Sequence, residues 1–147
     1  MSDFCTIVSP VIDHARIRSV LGSHGTADIV VTGSDQAWTS IVLRTDAATL
    51  TLNSMIRVEP GDQFSTILLG LYNFVRTQPA SDPAAKDRLQ QQIVDAELLI
   101  GVVADPSFEA DETLADLVFE IAEDLGALIF TGSALLSGNG DVLIEQP

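Results

Sequence analysis

Residues 95–133 read DAELLIGVVADPSFEADETLADLVFEIAEDLGALIFTGS, and the fold class turns on them. Leu98 to Ala104 is an apolar run of strand length. Asp111 is a natural N-cap with Glu112 in the first turn, and Leu114, Leu117, Val118, Ile121 and Leu125 then recur at helical spacing to Leu125. Ala127 to Phe130 forms a second short strand. Strand, surface helix and strand in this order predict a parallel pair joined by a right-handed crossover.

Working outward, Phe4 to Val8 is a short apolar run that reads as a buried strand. Ser9-Pro10 offers an N-cap followed by proline at the first helical position, which predicts a helix to about Leu21. In it Val11, Ala15, Ile17, Val20 and Leu21 face inward, and His14, Arg16 and Arg18 outward. Three strands follow as a meander: Asp28 to Thr32, Trp38 to Thr45 and Thr49 to Val58. The third alternates Leu50, Leu52, Ile56 and Val58 against Thr49, Thr51, Asn53, Met55 and Arg57, as a sheet with one covered face requires. After the turn at Glu59-Pro60-Gly61-Asp62 comes a strong helix, Gln63 to about Thr77, whose wide apolar stripe includes Phe64, Leu68, Leu71 and Val75. Gly70 in it costs about 1 kcal/mol relative to alanine, and a close helix–sheet approach is the expected reason. Pro83 opens a polar helix, Ala84 to Ala96, anchored by Leu89 and Ile93. A closing hairpin joins Leu135-Leu136 to Asp141–Glu145 around Ser137-Gly138-Asn139-Gly140. The expected fold is therefore α+β over residues 1–147 as one globular domain. Its mixed sheet comprises the N-terminal strand, the antiparallel three-strand meander, and the C-terminal β-α-β unit and hairpin, with about four packed helices.

With 147 residues, 46% hydrophobic and 19% charged, the chain is long enough for a core of its own. No apolar run approaches the roughly 18–20 residues of a membrane span. The single cysteine excludes an internal disulfide framework. The acidic start, Met1 to Cys5, is unlike a secretory signal, and the expectation is a cytoplasmic protein of bacterial style. Net charge is −14. Residues 1–88 hold 9 acids and all 7 bases, whereas residues 89–147 hold 12 acids and no base. Such a chain is repelled by phosphate backbones and anionic lipid, so neither nucleic acid nor membrane is an expected partner.

Several stretches carry a resemblance: Thr49-Leu50-Thr51-Leu52-Asn53, Pro60-Gly61-Asp62-Gln63-Phe64-Ser65, Leu68-Leu69-Gly70-Leu71-Tyr72-Asn73-Phe74, Ile100-Gly101-Val102-Val103-Ala104 and Leu128-Ile129-Phe130-Thr131-Gly132-Ser133. Together they resemble the N-terminal portion of a family of uncharacterised bacterial proteins, a domain of unknown function, over roughly the last two thirds of the chain. Longer members of that family continue into a second domain. The resemblance implies a fold more than a function and brings no catalytic residues with it.

The helix from Asp111 carries the strongest local anomaly. Glu112, Asp116, Glu120 and Asp124 follow one another at i,i+4, each like-charge pair costing on the order of 0.2–0.5 kcal/mol. Glu123 and Asp124 also sit at the negative end of the helix dipole. A solvated face accounts for such a run in most helices. Its functional counterpart is a docking surface, Asp116, Glu120, Glu123 and Asp124, for a basic protein partner. Asp105, Glu109 and Asp111 follow the strand end, where α/β proteins bind ligands, and suit a hard cation in an alternative metal or small-ligand reading. Turn chemistry at Asp105-Pro106 and capping by Asp111, with Glu112 in the first turn, offer the plainer explanation. No P-loop, dinucleotide fingerprint, nucleophile elbow or zinc spacing is present, and no cofactor is expected. His14 and His24 are expected at the surface or in caps, and Cys5 as a buried small hydrophobe.

These readings predict a small acidic protein-binding module with no catalysis of its own, in its sharpest form an immunity or antitoxin protein for a basic toxin. An enzyme or ligand-binding domain built on the acidic loop is the second class, and a structural module forming a homo-oligomer the third.

Overall fold

A computed structural model describes residues 2–23, 28–57, 61–79 and 82–146. Among these residues the elements run β1 (Asp3–Ser9), α1 (His14–Gly22), β2 (Asp28–Ser34), β3 (Ala37–Arg44), β4 (Thr49–Ile56), α2 (Gln63–Thr77), α3 (Pro83–Val94), β5 (Leu98–Asp105), α4 (Glu112–Leu125), β6 (Leu128–Phe130), β7 (Ala134–Ser137) and β8 (Val142–Glu145), with a 3-10 turn at Phe108–Ala110. His24, Val58, Glu59 and Pro60 lie outside the described residues.

The architecture is α+β: one eight-stranded sheet and four helices, the meander β2–β3–β4 and the hairpin β7–β8 included. The strand order is β2-β3-β4-β5-β1-β6-β7-β8 and every adjacent pair is antiparallel. This corrects the expected parallel pair and, with it, the mixed sheet. β5 and β6 do run the same way with α4 between them in sequence, but β1 is inserted between them and is antiparallel to both. The strand–helix–strand unit is thus split, and its two strands never touch. A crossover that skips one strand satisfies the same hydrophobic patterns as one that does not, so periodicity alone does not separate them.

Alternation along the strands divides the core in two. On one face Cys5 and Ile7 of β1, Leu98, Ile100 and Val102 of β5, and Leu50 and Leu52 of β4 pack beneath α1 and α4. On the other, Val8, Leu99, Leu128, Leu135 and Ile144 pack beneath α2 and α3. The sheet therefore lies between two helical layers, the second of which covers only part of its face, and over β4 the alternation holds as predicted, with Leu50 and Leu52 buried and Thr51 and Asn53 not. Ile7, Leu98 and Ile100 are fully buried. Each such side chain contributes about 1.5–3 kcal/mol by leaving water.

Helix α1 begins four residues later than Ser9-Pro10 predicts. Ser9 Oγ donates to the Val11 carbonyl at 2.7 Å and accepts the Val11 N–H at 3.2 Å, making a local turn in place of a cap. Asp13 is the N-cap, accepting from the Arg16 N–H at 3.0 Å. Val11 and Ile12 are consequently exposed, as is Ala15, and His14, Ile17, Val20 and Leu21 form the buried side. His14 is thus not a surface residue. Its Nε2 lies 2.6 Å from Ser54 Oγ, its ring meets Trp38 edge-on at 5.0 Å, and its carbonyl accepts the Trp38 indole N–H at 2.8 Å. A bulge positions Trp38: Thr32 pairs with Ser40 and Gly33 with Trp38, which leaves Thr39 extra and turns the indole onto the α1 face. Gly33 sits at φ 102°, and a Cβ there would lie 2.8 Å from the Ala37 carbonyl oxygen.

Asp62 caps α2 and Asp82 caps α3, each accepting backbone N–H groups of the first turn. Lys86 Nζ donates to the Arg76 and Gln78 carbonyls at 2.7 Å each, tying the end of α2 to α3. Gly70 makes no close approach: it is exposed, with nothing within 4 Å of where a Cβ would stand. The glycine that does permit close packing is Gly138, in the β7–β8 turn. A Cβ at this position would lie 2.6 Å from both Cα and N of Glu123 in α4. Gly138→Val forces α4 and the closing hairpin apart and is expected to cost at least about 1–3 kcal/mol, read as a lower urea midpoint at unchanged slope.

Candidate interaction surface

Helix α4 is held at both ends and along one side. Asp111 caps its start, accepting the Thr113 N–H at 3.1 Å, and Gly126 closes it in the left-handed region at φ 65°. Leu114, Leu117, Val118, Ile121, Ala122 and Leu125 are buried. This stripe points Asp116, Glu120, Glu123 and Asp124 outward, and all four are exposed. They occupy the outer surface of one helical layer on a helix that the core immobilises.

The surface is not uncompensated, as counting charges along the helix suggests. Arg16 Nε of α1 donates to Asp124 Oδ2 at 3.2 Å, across 108 residues of sequence. Both side chains are at least one-third exposed or close to it, which keeps the pair to roughly 0–1 kcal/mol. It still neutralises the acid nearest the C-terminal end of the dipole. No signal in the sequence pairs Arg16 with Asp124. The packing of α1 beside α4 does. Asp116, Glu120 and Glu123 remain at the surface further along the same helix.

Asp105, Glu109 and Asp111 do not converge. Asp105 ends β5 opposite Thr49, Glu109 is exposed in the 3-10 turn, and Asp111 turns back to accept Thr45 Oγ1 at 2.6 Å. Among the described residues no group of three or more His, Cys, Asp or Glu side chains is arranged to hold a metal ion. The hydrogen bond from Thr45 is the main cause that holds the Asp111 carboxyl below its ordinary range; burial opposes it, and hydrogen bonds from Thr113 and the Leu114 backbone at the helix start add to the lowering. Of the three, Asp111 builds a capped helix start, and Asp105 and Glu109 stand apart from it.

Cys5 is buried in β1, and burial pushes its thiol up to about 12, so it stays protonated and unreactive at neutral pH. Beside it, Phe108, Val118, Phe119, Ile129 and Leu136 line a small apolar cleft of about 150 Å³. A shallow depression of about 520 Å³ runs between α3 and β8, past Arg88, Gln92, Asp95 and Leu143. Neither is lined by Asp105, Glu109 or Asp111. No helix among the described residues is long and apolar enough to cross a membrane.

No family model, curated protein or solved structure matches this chain. The resemblance to an uncharacterised bacterial family therefore rests on the quoted stretches alone.

Two titrations check this description. Burial lowers the His14 pKa, with Asp13 opposing it. His14 therefore resists protonation in the folded chain, and its contribution to stability is fully present above about pH 6.5 and is lost as pH falls from that value through the lowered folded pKa. Imidazole resonances of His14 that titrate at or above the ordinary value would contradict the burial. For Asp111 the sign is the same: its contribution is present above about pH 4 and is lost as pH falls through the lowered folded pKa. Thr45→Val is expected to return the Asp111 carboxyl towards its ordinary titration, followed by NMR.

Proposed function

We propose that this chain is a protein-binding module that captures a basic partner through the outer face of α4. The observation that carries the reading is the exposed row Asp116, Glu120 and Glu123, set on a capped helix whose buried side is fixed in the core. Rigid presentation matters because the acids lose little freedom when a partner docks, so a larger share of the attraction appears as affinity. The field of a chain at −14 adds long-range steering to a positively charged surface. The sharpest form of this reading is a cytoplasmic immunity or antitoxin protein that covers the basic surface of a toxin. Catalysis forms no part of the proposal, since the acids that suggested a ligand site serve as strand end, turn and helix cap.

The experiment is capture of a basic protein on the immobilised chain at low salt, followed by association kinetics with that partner. Asp116→Asn, Glu120→Gln, Glu123→Gln and Asp124→Asn combined are expected to slow association by about tenfold or more, and added salt to slow the wild type likewise. Asp124→Asn alone serves as the control for loss of the Arg16 pair. Association that ignores both salt and the fourfold substitution would sink this surface as the binding site.

A further inference from the structure

The face of the sheet covered by α2 and α3 is covered only in part. The pairing registers align Val30 of β2, Val42 of β3, Thr51 of β4, Val103 of β5 and Phe4 of β1 in one continuous row across five strands. Phe4 is 67% exposed and Val30 62%, with Val42, Thr51 and Val103 partly exposed between them. The next row, Thr32, Ser40, Asn53, Gly101 and Thr6, is also uncharged. In a chain of net charge −14, ten neighbouring positions thus carry no charge, and the ends of the apolar row are its most open residues. The row on the other side is Asp28, Arg44, Thr49 and Asp105.

We infer that this open face is a homodimer interface, occupied by the same face of a second copy. The pattern is self-complementary about β4. A two-fold axis running along β4, between two such faces, sets β2 against the partner's β1 and β3 against the partner's β5. Val30 then meets the partner's Phe4, Val42 meets the partner's Val103, and Thr51 meets its own copy. In the bordering row the same axis sets Arg44 against the partner's Asp105, twice by symmetry. A self-complementary patch that also matches its charges is what an isologous contact requires. It is also the part of this surface where two copies at −14 meet with no acid opposed to an acid. Face-to-face packing of antiparallel sheets with strands nearly aligned is a standard arrangement. Five strands spaced about 4.8 Å apart and three rows deep make a face of roughly 400–500 Å² per copy, below the about 800 Å² of a standard interface, so the dimer forms reversibly.

Sedimentation equilibrium of the full chain, from low micromolar to near-millimolar concentration, is expected to show the mass rising from 15.7 kDa towards twice that value. Val30→Lys and Phe4→Lys lie at exposed positions and are expected to hold the chain at the monomer mass. Arg44→Asp and Asp105→Arg are each expected to weaken the dimer about tenfold, and the double exchange to restore it. A monomer at every concentration overturns the proposal, as does a dimer indifferent to Val30→Lys. Failure of the double exchange to restore association overturns the two-fold arrangement. Far-UV circular dichroism of each variant separates loss of association from loss of fold.

Discussion

Strand β1 is the constraint on which the remaining structure depends. It lies between β5 and β6, antiparallel to both, with Ile7 buried against α1 and α4 and Val8 buried against α2 and α3. One residue of slip would exchange these two side chains between layers and put Thr6 where Ile7 stands, so the register is specified from both faces at once. β1 joins what would otherwise be two separate sheets, strands β2 to β5 and the short strands β6 to β8. Without it the hairpin β7–β8 and strand β6, only three residues long, would have no seam to the larger sheet.

This explains which parts of the fold were legible in the sequence. Local chemistry was legible: Asp62 and Asp111 as helix starts, the inward stripe of α4, the meander and the Gly-rich closing hairpin follow from spacing and turn residues. Partner choice between strands was not. β1 and β5 are both continuous apolar runs, and nothing in either says that they pair with each other and not with a sequence neighbour. Antiparallel insertion of an N-terminal strand into a strand–helix–strand unit leaves every hydrophobic period unchanged. Ser9-Pro10 failed as a helix start for a related reason. Ser9 is buried at the end of a central strand, and its backbone carbonyl is taken by the Glu97 N–H at 2.9 Å, so the chain must leave the sheet before it can turn into a helix.

The candidate surface was legible to the same degree. That α4 would carry an outward acidic row followed from its inward one, because a helix with one apolar stripe has only the other side left. What it would meet there did not follow. Arg16 lies at the opposite end of the chain and reaches Asp124 because α1 and α4 share a layer. His14 shows the same limit in the core: its environment, Trp38 and Ser54, comes from β3 and β4, and a bulge in the β2–β3 pairing is needed to bring Trp38 there. Long-range contacts of this kind decide electrostatics, and they are set by topology.

The two faces of the molecule divide the charge between them. The outer surface of the α1–α4 layer carries Asp116, Glu120 and Glu123, whereas the open part of the opposite sheet face has two adjacent rows without an ionisable group. Net charge alone keeps copies of such a chain apart. Clearing acids from one five-stranded face lowers that repulsion locally while the apolar row supplies an attraction that depends little on salt. The same separation keeps the acidic helix on the far side of the sheet from any contact made through Val30 and Phe4. Two copies joined at the neutral face would therefore turn two α4 surfaces outward, away from each other. A partner with repeated basic sites would then meet both at once, and the second contact would form at the high effective concentration set by the first.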